Sequence, residues 1–543
     1  MSNRNSILLL LSLLSGVFMS LGWPHMGGIT PLLFVGLVPL LWVEEQIYLR
    51  KQNGSRQRLS PFSYLAFLTF NAITTWWVCH ASVGGGIAAI VFNSAFMAGV
   101  WQLYHFTKRK VGRRESWFAL IFYWIAFESI HLTWELTWPW LTFGNGLANA
   151  TALVQWYEYT GTLGGSTWIL VVNLLVFELV RWWKSSEKPT KVRNRLAAAL
   201  ILTLVVPMAA SLSIFASYEE QGEKVDVLVL QPNIDPYNDK FGAMTPEQQL
   251  DKMLQLADPL LDDRVEYVVG PETALPSTVW EDHPNNTGTF TQLQYFVREH
   301  SYLNVIIGMN SAKVFEPDQP LPAAVRKFSK GDKYFEKYNT AVQFDRNEQP
   351  IFYHKSKLVP GVERMPYPSI FKFLGDFAID LGGTSGSMGT QKERTVYFDP
   401  DRPTLGVAPV ICYESIFGEY VTDYIRNGAK LIFIVTNDGW WEDTPGYKQH
   451  LAYGRLRAIE CRRSIARSAN TGISCFINQR GDVSQATGWW VPAAIRETIL
   501  ANDEETVYVK YGDYLARVAL LVSALLVLLT IVRNFVPKKS SAV

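Results

Sequence analysis

The apolar positions of this chain fall into two regimes. Up to about residue 217 they form long, nearly unbroken runs. From Lys224 onward they form short, β-branched runs separated by polar stretches, and one last long run lies near the end. Runs long enough to cross a bilayer lie at 6–23, 29–48, 61–80, 85–106, 116–134, 163–182 and 196–217, with an eighth at 514–535. They predict a membrane helical bundle of about eight transmembrane helices. The first is expected to be retained, because further runs follow at once and no small-residue cleavage site intervenes. Gly, Pro and Ser inside several runs are tolerable where neighbouring helices re-satisfy the backbone.

Between the seventh and eighth runs the pattern is that of an α/β domain. VDVLVLQPNI, VEYVVGPETALP, NVIIGMNS, YNTAVQFD, QPIFYHKSKLV, LGVAPVICYE, AKLIFIVTND and TGISCFINQ read as strands. Helical periodicity appears at 245–263, 289–301, 415–427 and 447–464, and the polar insert 313–335 reads as a surface loop or lid. The expected organisation is therefore a transmembrane domain at 1–217, a soluble catalytic domain at 218–513, and a final span with its tail at 514–543.

Composition agrees with this division: of 543 residues 48% are hydrophobic, yet 18% are charged. The net charge of +1 leaves no electrostatic case for nucleic-acid binding. Cys79, Cys412, Cys461 and Cys475 form no C-x-x-C pair, so neither a zinc site nor a disulfide framework is indicated, and no cofactor is called for. The basic residues orient the spans. Arg4, then Arg50, Lys51, Arg56 and Arg58, then Lys108, Arg109, Lys110, Arg113 and Arg114, then Lys184, Lys188, Lys191, Arg193 and Arg195, and finally Lys538 and Lys539, all fall on one side. The connections 24–28, 81–84 and 135–162 contain no Lys or Arg. The basic side is cytoplasmic by this rule, and 218–513 is exported.

Connection 135–162 carries Trp138, Trp140, Phe143, Trp156 and Tyr157. It reads as an aromatic belt at a membrane interface, or else as a re-entrant segment that guides lipid tails. Glu128, His131 and Glu178 would mark an ion path unless they sit near span ends or in satisfied pairs.

Candidate chemistry centres on Cys412, at the end of the apolar run Leu405–Ile411, where the chain turns toward a helix. Such a strand-to-helix corner fixes a nucleophile, and the first helical N–H groups favour a thiolate. Taken alone, an unpaired cysteine is an ordinary small hydrophobe. Two other residues beside strand ends change that: Glu272 in GPETALP, and Lys355 in YHKSKLVPGVE, which also holds Glu363. Acyl transfer through a thiol needs a carboxylate to accept its proton and an ammonium to stabilise thiolate and oxyanion, helped by the N–H of the residue after the nucleophile. A serine hydrolase is disfavoured, since GGTSGS near Ser385 misses the G-x-S-x-G spacing.

Glu in PETALP, Lys in HKSKLVP followed by Glu363, Cys in ICYES, and TNDGWW together resemble the nitrilase (carbon–nitrogen hydrolase) superfamily. The span plan, with WPWLTFGNG (Trp138 to Gly146), QPNI (Gln231 to Ile234) and NTGIS (Asn470 to Ser474), resembles the membrane-bound branch that acylates bacterial lipoproteins. That resemblance implies a nitrilase-like α-β-β-α sandwich. It implies Glu272 as general base, Lys355 as oxyanion stabiliser and Cys412 as nucleophile, with Glu363 as a second carboxylate and Tyr413 and Glu414 as a supporting pair. Lys357 competes with Lys355, which is preferred because it stands eight residues before Glu363. The family's PFGE is PGVE here, its NDAWFG is NDGWWED, and a family Trp after QxNI has only Tyr237 or Phe241 as stand-ins.

The implied reaction moves a fatty acyl chain from a phospholipid, through a cysteine thioester, to the α-amino group of a diacylglyceryl-cysteine on an apolipoprotein. The implied location is the bacterial inner membrane, with the catalytic domain periplasmic. Drawing a sixteen-carbon chain wholly into water would cost about 12 kcal/mol at about 0.8 kcal/mol per CH₂, so a site open to the bilayer is expected. The rivals are a membrane-tethered amidase that uses water and a non-catalytic lipoprotein-binding scaffold.

Overall fold

The computed structural model describes residues 2–183, 190–347, 349–367 and 387–535. Lys184, Lys188, Lys538, Lys539 and most of the GGTSGS run lie outside the described residues. The chain folds as two compact units. One comprises the residues up to Cys79, Gly86–Ser217 and the stretch from Asp513; the other comprises His80–Gly85 and Tyr218–Gly512. The last long helix thus groups with the first unit.

In the first unit every apolar stretch is helical: Ser2–Gly22, Val38–Gln52 (entered through the 3₁₀ turn Thr30–Phe34), Ser60–Thr75, Val83–Lys110, Arg113–Thr133, Tyr157–Trp183, Thr190–Ser217 and Tyr514–Phe535. Among the described residues six helices are long and apolar enough to cross a membrane. Ser60–Thr75 falls short because its 16 residues span only about 24 Å at about 1.5 Å each. Arg113–Thr133 falls short in apolarity, carrying Arg113, Arg114, Glu115 and Glu128. On Thr190–Ser217 the side chains of Ile201, Leu202, Val205 and Val206 are more than half exposed, as are Leu521, Leu525 and Leu528 on the last helix. Apolar faces of that extent are stable in hydrocarbon and costly in water. This is a membrane protein.

The middle of the aromatic connection packs inside the helical unit. Residues 139–148 are buried, and Phe143 stacks on Trp124 at 4.6 Å while Trp140 meets Trp77 at 4.8 Å. Glu128 accepts from Trp124 Nε1 (3.0 Å) and from the backbone N–H of Phe143 (2.8 Å), so it anchors this segment within the bundle. Gly144 fits here because a Cβ would lie 1.9 Å from the Thr162 carbonyl oxygen. Glu178 pairs with Arg181 at 2.9 Å through Nε, and His131 accepts from Trp134 Nε1 at 3.2 Å. These three ionisable residues serve the packing of the bundle.

The second unit is built on two sheets. The first joins β1 (Glu223–Gln231), β2 (Tyr267–Val269), β3 (Leu275–Trp280), β4 (Asn304–Phe315), β5 (Arg326–Lys327), β6 (Tyr334–Phe344), β7 (Ile351–His354) and β14 (Ala493–Ala501). The second runs in the order β13 (Val483–Ser484), β12 (Cys475–Ile477), β11 (Ile465–Ala469), β10 (Ala429–Thr436), β9 (Gly406–Ile411) and β8 (Tyr397–Phe398). The strands β9, β10 and β11 are parallel and almost wholly buried, as their unbroken apolar runs require. The sheets face each other: the Tyr267 and Phe433 rings lie 5.4 Å apart, and Ser468 Oγ donates to the Leu230 carbonyl at 2.7 Å.

Helices cover both outer faces. Leu250 and Met253 of Pro246–Ala257, with Phe290, Leu293 and Val297 of Gly288–Glu299, pack on Val268, Val305, Ile307 and Val342 of the first sheet. The former helix starts in a capping box between Thr245 and Gln248. Gly418–Arg426 and Pro445–Cys461 pack on the second sheet. The result is an α-β-β-α sandwich of the nitrilase kind. Insert 313–335 is partly ordered as a ribbon, since β4 and β6 stay paired out to Phe315 and Tyr334. The edge strand β14 was not expected, because Arg496 and Glu497 interrupt its apolar pattern.

Candidate active site

Four chain corners meet where strands of both sheets end. Glu272 follows β2, Lys355 follows β7, Cys412 follows β9 and Asn437 follows β10. Ligand sites of α/β sheets form at such carboxyl ends, where chains diverge and leave room. The Glu272 turn lies tightly on β4: a Cβ on Gly308 would sit 2.6 Å from Glu272 Cα and 2.5 Å from Thr273 N. Only glycine allows that approach.

Lys355 Nζ donates to Glu272 Oε1 at 3.0 Å and to Glu363 Oε1 at 2.9 Å, and the lysine is buried. Asn339 of β6 donates through one amide nitrogen to Glu272 Oε1 (2.7 Å) and Glu363 Oε1 (3.1 Å). Glu272 Oε2 accepts from the Asn437 backbone N–H at 3.1 Å, and Glu363 Oε2 from that of Val359 at 2.8 Å. Burial would raise the Glu272 carboxyl, but Lys355, the Asn339 hydrogen bond and the Lys240 charge outweigh it and hold it below the usual range. Burial would likewise depress Lys355, yet the two carboxylates hold it well above its ordinary value. Glu272 is therefore an ionised carboxylate and Lys355 an ammonium.

Cys412 lies in the left-handed region at φ +48° and opens the 3₁₀ turn Cys412–Ile416. A side chain there costs about 1–2 kcal/mol, so neighbouring bonds must hold it. Glu414 supplies several of them. Its Oε2 accepts from the Ile411 N–H (2.9 Å); its Oε1 accepts from Tyr353 (2.7 Å), Tyr420 (2.6 Å) and the backbone N–H of Ser356 (2.7 Å). Glu414 thus fastens the cysteine corner to the loop that carries Lys355. Tyr413 is buried, its ring edge-on to Phe417 at 5.2 Å.

The thiol is not held as a thiolate at rest. Burial and the Glu272 carboxylate push Cys412 well above the ordinary thiol range, against the opposing pull of the Lys355 ammonium. The expectation of a thiolate stabilised by lysine gives way to a protonated thiol that feels the charge of the Glu272 carboxylate. Lys357 is placed differently from Lys355. Strand β7 ends at His354, the chain turns, and Lys357 Nζ lies over the Phe417 ring, 4.7 Å from its centre. Cys461 and Cys475 are buried, and burial raises both thiols to about 12.

A carbon–nitrogen hydrolase family model matches residues 227–502, and an apolipoprotein N-acyltransferase N-terminal domain model matches 15–175. Apolipoprotein N-acyltransferase of Chlorobaculum tepidum is 30% identical over 535 residues, covering 96% of each chain. The chain belongs to the apolipoprotein N-acyltransferase family. Family members of the same name from Thermotoga maritima (25% identical; 98% of this chain, 95% of that one) and Geobacter metallireducens (25%; 93% and 92%) also match along most of their length. Among solved structures, an amidase of the nitrilase superfamily from Nesterenkonia matches 55% of this chain and 97% of its own, with TM-score 0.36 and 14% identity.

The departures from the family pattern leave the corners in place. The PGVE turn, with Gly361 at φ +78°, returns Glu363 so that its N–H donates to the Val359 carbonyl at 2.9 Å. In NDGWWED, Trp440 meets Tyr237 edge-on at 5.3 Å and accepts its hydroxyl at 3.1 Å through the backbone carbonyl. The Phe241 side chain lies outside what is described.

Several residues of the site escaped the reading of the sequence. Asn339 lies between Tyr338 and Thr340 in β6, a strand of mixed polar and apolar residues, and nothing in that pattern sets it apart. Lys240 is buried, donates to Thr273 Oγ1, and is lowered to about 8 by burial. Asp438, His450 and Arg467 form a buried cluster: Arg467 Nη2 donates to Asp438 Oδ2 at 2.6 Å, and His450 Nδ1 lies 3.0 Å from Asp438 Oδ1.

Proposed function

We propose that this membrane acyltransferase takes a fatty acyl chain from a phospholipid onto Cys412 and passes it to the α-amino group of a diacylglyceryl-cysteine on an apolipoprotein. The observation that carries this reading is the buried Glu272–Lys355 pair, 3.0 Å apart, whose charges both act on the Cys412 thiol. The names of the relatives support the acceptor class.

In the first half-reaction Glu272 accepts the Sγ–H proton as the sulfur attacks the ester carbonyl. The tetrahedral oxyanion is met by the Lys355 ammonium and the Tyr413 N–H. The C–O bond breaks, Glu272 returns the proton to the departing glyceryl oxygen, and a lysophospholipid leaves behind a thioester. In the second half-reaction the lipoprotein amine attacks the thioester and Glu272 takes an amine proton. The C–S bond breaks, the thiol regains the proton, and the acyl chain departs as an amide. Glu363 and Asn339 hold Lys355 and Glu272 in register throughout. We assign residues 1–217 and 514–543 to the membrane part and 218–513 to a periplasmic catalytic domain, in the bacterial inner membrane.

The test is mass spectrometry of purified protein incubated with phospholipid, with and without a diacylglyceryl peptide. A fatty acyl adduct on Cys412 that disappears into N-acylated peptide is expected. Cys412→Ala forms neither. Release of free fatty acid with no acylated peptide would instead identify a hydrolase, and full activity of Cys412→Ala would falsify the scheme.

A further inference from the structure

A second buried network reaches the Cys412 backbone carbonyl, and its members Thr436, by a hydrogen bond, and Asp438, by its charge, also act on the thiol together with Glu272 and Lys355. His450, on the helix Pro445–Cys461, is buried, with Nε2 3.2 Å from the Cys412 carbonyl oxygen and 3.0 Å from Ser415 Oγ. Ser415 Oγ itself donates to the Cys412 carbonyl at 2.7 Å. A carbonyl oxygen only accepts, so the proton of His450 that faces it sits on Nε2. The other ring nitrogen faces Asp438 Oδ1 at 3.0 Å and Arg467 Nη2 at 3.2 Å, an acceptor and a donor. Nδ1 is therefore satisfied with or without a proton, and Nε2–H is kept in either state. Asp438 also accepts from Thr436 Oγ1 at 2.9 Å, so the ring is held from the floor of β10.

A trans peptide is planar, and its carbonyl and N–H point in opposite directions. The chain contains no cis peptide bond among the described residues. Drawing the Cys412 carbonyl inward thus turns the N–H of the next residue, Tyr413, outward. The left-handed backbone of Cys412 needs such a restraint, since a non-glycine residue there relaxes readily to another conformation. Rotation of this one peptide would aim a carbonyl at the developing oxyanion in place of a donor.

We infer that His450 is a positioning residue for acyl transfer: its Nε2–H clamps the Cys412 carbonyl and so aims the Tyr413 N–H at the tetrahedral oxyanion. The inference rests on Cys412 being the nucleophile, and the experiment separates the two. Alkylation of a thiol by iodoacetamide passes through no oxyanion, whereas acylation by phospholipid does. His450→Asn, whose shorter amide does not reach the carbonyl, should lose about 100-fold or more in acyl-enzyme formation. Its Cys412 should still be alkylated at the wild-type rate, and His450→Gln, which restores a donor at that reach, should recover most of the acylation. Acylation and alkylation falling together, unchanged acylation in His450→Asn, or no recovery in His450→Gln overturns the inference. If His450→Asn fails to accumulate, Ser415→Ala removes the other donor to the same oxygen and gives the same comparison. Selective loss of acylation there supports the clamp; parallel loss or none overturns it. Absence of acyl-enzyme in the wild type would be a failure of the nucleophile assignment instead.

Discussion

The side-chain amide of Asn339 donates to Glu272 at 2.7 Å, and the same nitrogen reaches Glu363 at 3.1 Å. Two carboxylates this close repel each other unless donors lie between them, and here one ammonium and one amide do so. Replacing Asn339 with Leu leaves buried carboxylate oxygens short of a donor, at about 1–3 kcal/mol. We expect acylation to fall by about 5- to 100-fold, with Asn339→Asp worse because it adds a third negative charge. Single-turnover acylation rates measure this.

Glu272 and the thiol make an opposite-signed prediction. The Glu272 charge is one of the influences that hold the Cys412 proton on. Removing it in Glu272→Gln lowers the thiol pKa, so iodoacetamide alkylation at a fixed neutral pH accelerates while acyl transfer collapses for want of a base. A fall in both rates would mean that Glu272 acts on the folded shape of the site and not on the proton.

The two lysines of HKSK separate cleanly. Lys355 bridges the buried Glu272 and the half-buried Glu363, while Lys357 lies over an aromatic ring. Lys355→Met strands those carboxylates and should abolish acyl-enzyme formation; Lys357→Met should keep at least a large part of it, and adduct formation by mass spectrometry distinguishes them.

The acid limb of the rate profile should move when Lys240 is removed. Its charge helps hold the Glu272 carboxyl below the ordinary range. Without it, in Lys240→Met, the Glu272 pKa rises, a higher pH is needed to keep the base ionised, and the acid limb shifts upward. The wild-type stability has its own signature from Lys240, whose folded pKa of about 8 lies below the unfolded value of about 10.4. The stability contribution is greatest above the unfolded value and is lost as pH falls through about 8. Denaturation series across that window, compared with Lys240→Met, read it out.

Glu414 fastens the Cys412 corner to the loop that carries Lys355. Glu414→Gln places an NH₂ where an acceptor now receives several donors, at about 1–3 kcal/mol. We expect a lower thermal midpoint together with slower acylation, and a lower midpoint with wild-type acylation would contradict that role.

What the chain alone determined follows from local chemistry. Long apolar runs are helical because hydrocarbon demands internally satisfied backbone, and Gly406–Ile411 is a buried strand because both its faces are apolar. The residues around Cys412, Glu272 and Lys355 carried a family resemblance in the short motifs ICYES, PETALP and HKSKLVP. Tertiary structure decided the rest. The burial of Trp140 and Phe143, the divergence of Lys355 from Lys357 past the end of β7, and the pairing of β14 depend on partners distant along the chain. So do Asn339 between two carboxylates and His450 against the Cys412 carbonyl. An isolated Asn or His in a sequence has no sign of what it faces; only the packed sheets bring a donor within 3 Å or so of an acceptor and remove the water that would otherwise take its place.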